Sequence, residues 1–194
     1  KLGLLGRHTC IAHCIHLSAE ERALLAETGT HVCHCPSSNL KLASGIASVP
    51  ELIDAGVSVA LGADGAPCNN NLDGFWELRL AALLHKPKSG PRALPASVAV
   101  RLATLGGAHA IGRGQDLGML EVGRRADVIA VNVDTLHTQP TANPYSAIAY
   151  AAQSRDVRHV AVDGNLVVVD HRLLTLDVAA VRKNAATQAR RLFG

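Results

Sequence analysis

His13 and Asp64 are the two residues whose types and positions could activate a water. His13 lies in the run Ile11-Ala12-His13-Cys14-Ile15-His16-Leu17, and Asp64 follows the run Val57-Ser58-Val59-Ala60-Leu61. A carboxylate can bind a cation and take a proton, while an imidazole beside it orients or stabilises the same water; together they suit metal-assisted hydrolysis. In parallel α/β sheets and barrels such side chains gather at the C-terminal ends of the strands. Asp64 stands at such an end, before a loop of turn formers, Gly65-Ala66-Pro67-Cys68-Asn69-Asn70-Asn71. The competing roles are structural: an Asx turn or helix cap at Asp64, and a hydrogen-bonded core histidine at His13 or at His34. A catalytic zinc takes three protein ligands and keeps one position open, so this pair alone does not complete one. Cys33-His34-Cys35 has a single residue between its cysteines and no later Cys-x-x-Cys, which argues against a zinc knuckle.

The elements that must carry these residues are legible as an alternation. Thr9–Leu17 reads as a strand. Ser18-Ala19-Glu20-Glu21 forms a capping-box pattern that starts a helix, and Gly29 ends it. His31–Cys35 is a second short strand, stopped by Pro36. Ser48-Val49-Pro50-Glu51 repeats the start signal with Pro50 at the first helical position, and Gly56 closes that helix. Val57–Leu61 is the third strand, an apolar run expected to be buried on both faces. Strand, helix, strand, helix, strand at this spacing predicts βαβ units and a parallel sheet. Leu72–Leu84 has helical periodicity, with Pro87 unable to continue it, and Ala96–Thr104 is a further helix before Gly106-Gly107 and a short piece to Ile111.

The pattern then changes. Leu117–Gly123 is a turn-rich connection and Ala126–Val133 a strand. Val157–Val162 and Leu166–Val169 flank Asp163-Gly164-Asn165, a hairpin signal. Asp177–Phe193 closes the chain as an amphipathic helix with Arg182, Lys183, Arg190 and Arg191 outward. The expected organisation is an α/β part over residues 1–115 and a small β-rich part with a closing helix over residues 116–194. Three strands are too few for a closed βα barrel, which needs eight and typically about 250 residues. The chain therefore reads as the C-terminal part of something longer.

With 194 residues, 48% of them hydrophobic, the chain can bury a substantial core. A formal charge of +3 without a lysine or arginine run gives no nucleic-acid footprint, and 3% aromatics argue against a stacking platform. No apolar segment approaches the roughly 20 residues of a membrane span, and Lys1-Leu2-Gly3 shows no signal-peptide pattern. The five cysteines, Cys10, Cys14, Cys33, Cys35 and Cys68, are expected to be reduced and largely buried thiols, which places the protein in the cytoplasm.

Several stretches together resemble one family. Ile11–Leu17 is similar to the sixth barrel strand of the amidohydrolase superfamily. His34-Cys35-Pro36-Ser37-Ser38-Asn39-Leu40-Lys41-Leu42 is similar to its seventh strand and loop, and Leu61–Asn71 to its eighth. Glu77–Leu84 and the turn Gly118–Asp127 also resemble its cytosine-deaminase and chlorohydrolase branch. The resemblance covers essentially the whole chain in order. It implies a TIM (β/α)8 barrel, here represented by strands six to eight, with part of a small β-sandwich domain and a C-terminal helix. It implies one divalent metal, zinc by preference and iron as the alternative.

By the same resemblance Asp64 is a metal ligand that also shuttles protons, and His13 contacts the metal-bound water and the group being displaced and counts with Asp64 among the metal-site residues. His34, Ser38 and Asn39 would shape the rim, and Asn69 and Asn70 the mouth, although Asn-rich turns also form for backbone reasons. The implied reaction is hydrolytic deamination of an aminated heteroaromatic ring, with a purine-type nucleoside such as 5′-deoxyadenosine, methylthioadenosine or S-adenosylhomocysteine as substrate. Guanine or pterin deamination and triazine dechlorination are the alternatives within the branch. The His-x-Glu and Pro-Cys-x-x-Cys signature of the other zinc deaminases is absent. So are the branch's His-x-His and the histidine and glutamate of its fifth strand. The chain is therefore expected to need a complementary N-terminal part, missing, cleaved or on another chain; without it, an inactive fragment or binding subunit is the reading of a different class. A heterocyclic small molecule and water are the implied partners, with no nucleic acid or membrane, and a homo-oligomer is the assembly common in the branch.

Overall fold

Three parallel strands frame the first part of the chain: β1 (Cys10–Ala12), β2 (His31–His34) and β3 (Ser58–Leu61), in the order β1-β2-β3. The register pairs Ala12 with Cys33 and His34 with Leu61, so all three strands end at one edge. A computed structural model describes residues 3–194; Lys1 and Leu2, two of the three residues read for a leader, lie outside the described residues. Between the strands run α1 (Ala19–Thr28), α2 (Pro36–Lys41) and α3 (Val49–Asp54). α1 starts as its sequence dictates: Ser18 Oγ accepts from Glu21 N, Ser18 N donates to Glu21 Oε2, and Gly29 closes the helix at φ 69°.

Three boundaries differ from expectation. β1 stops at Ala12 rather than Leu17, because His13 and Cys14 both turn into the left-handed region at φ 68° and 48°. Pro36 does not merely stop β2 but opens α2, where a missing N–H costs nothing in the first turn. α3 begins at Val49 with Pro50 second, and Ser48 makes no side-chain cap.

After β3 come α4 (Ala66–Asn69), α5 (Gly74–Leu84) and α6 (Lys86–Ser89), the last holding Pro87 in its first turn. Asp73 Oδ1 caps α5 by accepting from Phe75 N and Trp76 N. α7 (Ala96–Arg101) runs through a π-helical turn, Leu102–Gly106, into α8 (Gly107–Ala110), so the glycine pair does not break the helical path. Val32, Leu52, Val59, Leu78, Ala81, Ala99 and Leu102 form the core between sheet and helices. Burial is uneven across the sheet. Val59 and Ala60 are buried while Ser58 and Leu61 are half-buried, and in β1 only Ile11 is even half-buried.

The chain divides into two units: residues 3–124 with 133–154, and residues 125–132 with 155–194. The expected boundary at residue 115 falls inside the first of these units. The segment after β4 (Val128–Val131), comprising α9 (Pro144–Ser146) and a second π-helical turn, Ala147–Ala151, returns to the first unit. Ala147, Ala149 and Ala152 are buried there, and Arg79 Nη2 donates to Ala152 O at 2.9 Å. Two small apolar residues per turn, invisible as a strand or a charged helix, make that return. The second unit holds an antiparallel sheet of β4, β5 (Val157–Val162), β6 (Asn165–Val169) and β7 (Arg172–Leu173), then α10 (Val178–Phe193). Asp163 and Gly164, at φ 51° and 78°, make the β5–β6 turn with both central residues left-handed, as the Asp-Gly pair predicts. Arg182, Lys183, Arg190 and Arg191 are exposed on α10. No helix among the described residues is long and apolar enough to cross a membrane.

Candidate active site

His13 and Asp64 leave the same edge of the sheet, from the two outer strands. The ladder extends one step past each strand: His13 N donates to Cys33 O at 2.9 Å, and Gly62 N to His34 O at 2.8 Å. Immediately beyond, His13 and Asp64 are both left-handed, at φ 68° and 62°. Non-glycine residues held in that region cost free energy and collect at functional sites, where surrounding contacts fix them.

Those contacts come from α2. Ser38 Oγ donates to Asp64 Oδ2 at 2.5 Å, and Gly65 N donates to Asp64 Oδ1 at 2.7 Å. The Ser38 hydroxyl first, the Gly65 amide second and the neighbouring His13 also hold the Asp64 carboxyl below the usual carboxylate range. On the other side His13 Nδ1 lies 2.8 Å from Asn39 Oδ1. A carbonyl oxygen only accepts, so the proton sits on Nδ1 and Nε2 carries a lone pair. That Nε2 faces Asp64 Oδ2 across 3.8 Å. Two lone-pair atoms aimed at each other at that distance leave room for a proton or a cation.

The other candidates divide. Ser38 and Asn39 are both buried and both touch the pair. Asn69 is also buried, but its side chain does not touch the pair: Nδ2 donates to Ala63 O and to Glu77 Oε1, and Oδ1 accepts from Asn71 N and Leu72 N. Asn70 takes the left-handed position that ends α4 and meets Lys41 Nζ. His34 is fully buried, and its ring lies 6.0 Å from that of His85, with neither ring nitrogen hydrogen-bonded. It does not join His13 and Asp64.

Burial first, and His85 second, push the His34 pKa down to about 3. The unfolded chain protonates this residue near pH 6.5 and the folded chain does not, so stability falls as pH drops below 6.5, by about 1.4 kcal/mol per unit until pH nears 3. Urea unfolding at pH 7, 6 and 5 is expected to show that slope, and His34→Gln to flatten it.

The cysteines correct one expectation. All five are free, but only Cys35 is buried; Cys10 is exposed and the others are half-buried. Cys33 and Cys35 place their sulfurs 3.9 Å apart, and the hydrogen bond between them draws the Cys33 thiol down to about 7 while pushing Cys35 up. The residue that sequence reasoning passed over is Glu77, buried in the first turn of α5; its signal was a lone acid in an otherwise apolar stretch, Phe75-Trp76-Glu77-Leu78.

Comparison with known proteins settles the family. A family profile described as "Amidohydrolase family" matches residues 1–167. The chain belongs to the amidohydrolase family. This amidohydrolase chain is 49% identical over 191 residues to a 5-methylthioadenosine/S-adenosylhomocysteine deaminase of Syntrophobacter fumaroxidans, covering 98% of the chain and 44% of the relative. It is 49% identical over 192 residues to the protein of the same name from Halobacterium salinarum, with the same coverage. The chain thus spans less than half the length of the curated relatives it matches. Among solved structures, a zinc-bound adenosine deaminase from Xanthomonas campestris superposes with a TM-score of 0.96 at 41% identity, over 98% of this chain and 44% of that one. A zinc-complexed atrazine chlorohydrolase from Arthrobacter aurescens superposes at 0.86 and 30% identity, over 94% of this chain and 41% of that one.

Among the described residues no three His, Cys, Asp or Glu side chains gather as a metal cluster. The donor set nevertheless suits part of one. Ligands of a single tetrahedral zinc lie roughly 3.4 Å apart. An Nε2 lone pair and a carboxylate oxygen facing each other at 3.8 Å come close to that spacing.

Proposed function

We propose that this chain is the C-terminal portion of a metal-dependent aminohydrolase that deaminates an aminated purine nucleoside of the methylthioadenosine or S-adenosylhomocysteine type. The observation that carries the proposal is the opposed His13 Nε2 and Asp64 Oδ2, each fixed from behind by α2. The relatives' names support the substrate class. In this assignment β1, β2 and β3 are strands six, seven and eight of a barrel, residues 1–115 belong to that barrel, and within 116–194 the β4–β7 sheet and α10 contribute to a small β-rich domain with its closing helix. The family resemblance supports assembly as a homo-oligomer, and the five free thiols support a cytoplasmic location.

Asp64 and His13 would hold the divalent metal, zinc for preference, together with ligands outside this chain. Such an ion supplies Lewis acidity that makes a water nucleophilic near neutral pH. Asp64, kept ionised by Ser38 and Gly65, accepts a proton from the attacking water and returns it to the departing nitrogen. His13, its tautomer set by Asn39, would present Nε2 to the ion and so fix where the attacking oxygen stands against the ring carbon. The C–N bond then breaks, and amine plus water become the oxo ring and ammonia.

The test is the protein purified from its source cells, with metal content and intact mass measured on one sample. About one zinc per site, and ammonia released from methylthioadenosine or S-adenosylhomocysteine, is the expected result. A metal-free polypeptide of 20.3 kDa that releases no ammonia would overturn it, and chloride release from a chlorotriazine would move the substrate to the dechlorination alternative.

A further inference from the structure

Glu77 is 1% exposed, a carboxylate in a place where charge is costly unless its oxygens are used. Both are used, by segments far apart in sequence. Oε2 accepts from Ser37 N at 3.1 Å, one of the amides at the start of α2 that has no partner within its own helix. Oε1 accepts from Asn69 Nδ2 at 2.7 Å, and the same Nδ2 donates to Ala63 O at 2.7 Å. Ser37 is followed by Ser38 and Asn39, which hold Asp64 and His13; Ala63 immediately precedes Asp64.

Resting on the deaminase reading above, we propose that Glu77 is a positioning residue: it clamps the start of α2 to the loop carrying Asp64 and so fixes the gap between His13 and Asp64. The clamp requires an acceptor on both sides. Asn69 cannot turn its amide over, because Oδ1 is committed to Asn71 N and Leu72 N. A glutamine at position 77 has the same shape but brings an NH2 against either the Ser37 amide or the Asn69 amide.

The experiment compares Glu77→Gln, Asn69→Ala and the double variant in the metal-loaded protein that carries this chain. Glu77→Gln is expected to lower kcat at least tenfold with KM changed less than threefold. Amide exchange should quicken at residues 37–39 and 63–65 and stay unchanged across β2 and the rest of α5. In the Asn69→Ala background, adding Glu77→Gln should cost less than threefold, since the opposing donor is gone. Unchanged kcat, exchange that quickens uniformly through the unit, or additive losses would each overturn the clamp. If Glu77→Gln does not fold, Asn69→Ala alone must reproduce the local exchange at residues 63–65, and its failure to do so is equally decisive. A wild-type protein that releases no ammonia defeats the deaminase reading; the clamp is then judged on the exchange pattern.

Discussion

Asp64→Asn in the zinc-loaded protein is expected to lower kcat/KM for ammonia release by about 10³-fold, within the range that removal of a positioned general acid–base carries. Asparagine is the discriminating substitution because it separates chemistry from conformation. Asp64 sits at φ 62°, a region that asparagine enters as readily as aspartate, whereas alanine would add backbone strain. The asparagine carbonyl can still accept from Ser38 Oγ, so the hydrogen bond across to α2 survives. What disappears is the charge, the ability to take a proton and the bond from Gly65 N, which an NH2 cannot accept. Since Ser38 and Gly65 hold the wild-type carboxyl below its usual range, Asp64 stays ionised across the neutral and mildly acidic range, and the variant's loss should be nearly independent of pH there. Steady-state rates with excess zinc, beside zinc content and melting temperature, make the check. A variant with wild-type turnover at full zinc occupancy would remove Asp64 from the proton path.

How far this site was legible follows from what each residue's neighbours reveal. Asp64 stands out as a carboxylate just past an apolar strand end, although an Asx turn or a helix cap would place one there too. His13 was found by its position after Ile11-Ala12, yet nothing in Cys14-Ile15-His16-Leu17 signals that the chain leaves the strand there. The left-handed turn at His13 and Cys14 uses neither glycine nor asparagine, so it is imposed by tertiary contacts such as Asn39 on the ring, not by local preference. Ser38 and Asn39 were placed near the site only through likeness to a family. The physical link, a helix opened by Pro36 that turns both side chains to the sheet edge, was hidden because proline was read as an end and not as a first turn.

Glu77 shows the opposite failure. Its type was visible, but an acid in the first turn of a helix is ordinarily explained by the macrodipole. Only the burial, the bond from Ser37 N across 40 residues and the bond from Asn69 separate it from that role. That residues 133–154 belong with the first unit is hidden for a similar reason: the alanines of 147–152 carry no periodic signal, and their burial depends on what they meet.

Gly106 and Gly107 stand side by side, and substitution is expected to pull them in opposite directions. A Cβ on Gly106 would stand 2.4 Å from Val59 O and 3.3 Å from Arg101 O. Neither neighbour is the flexible end of a side chain. Val59 O belongs to β3, which is locked in register against β2, so the clash falls on backbone that cannot yield without disturbing the sheet. Gly106→Ala should therefore destabilise by about 3 kcal/mol, the upper end of overpacking costs, even after the fraction of a kcal/mol that alanine gains in a helix. Gly107 is equally helical at φ −59°, yet a Cβ there meets nothing within 4 Å. Gly107→Ala should stabilise by about 0.5–1 kcal/mol, since only the entropy of the unfolded chain changes. Thermal unfolding of the two variants beside wild type is the check, with melting temperatures expected to move apart on either side of it. Equal shifts of one sign would mean that the π-helical turn at Leu102–Gly106 does not press its backbone on β3 as described, and with it would go the reason that a helix carrying two adjacent glycines continues unbroken across the strand that delivers Asp64.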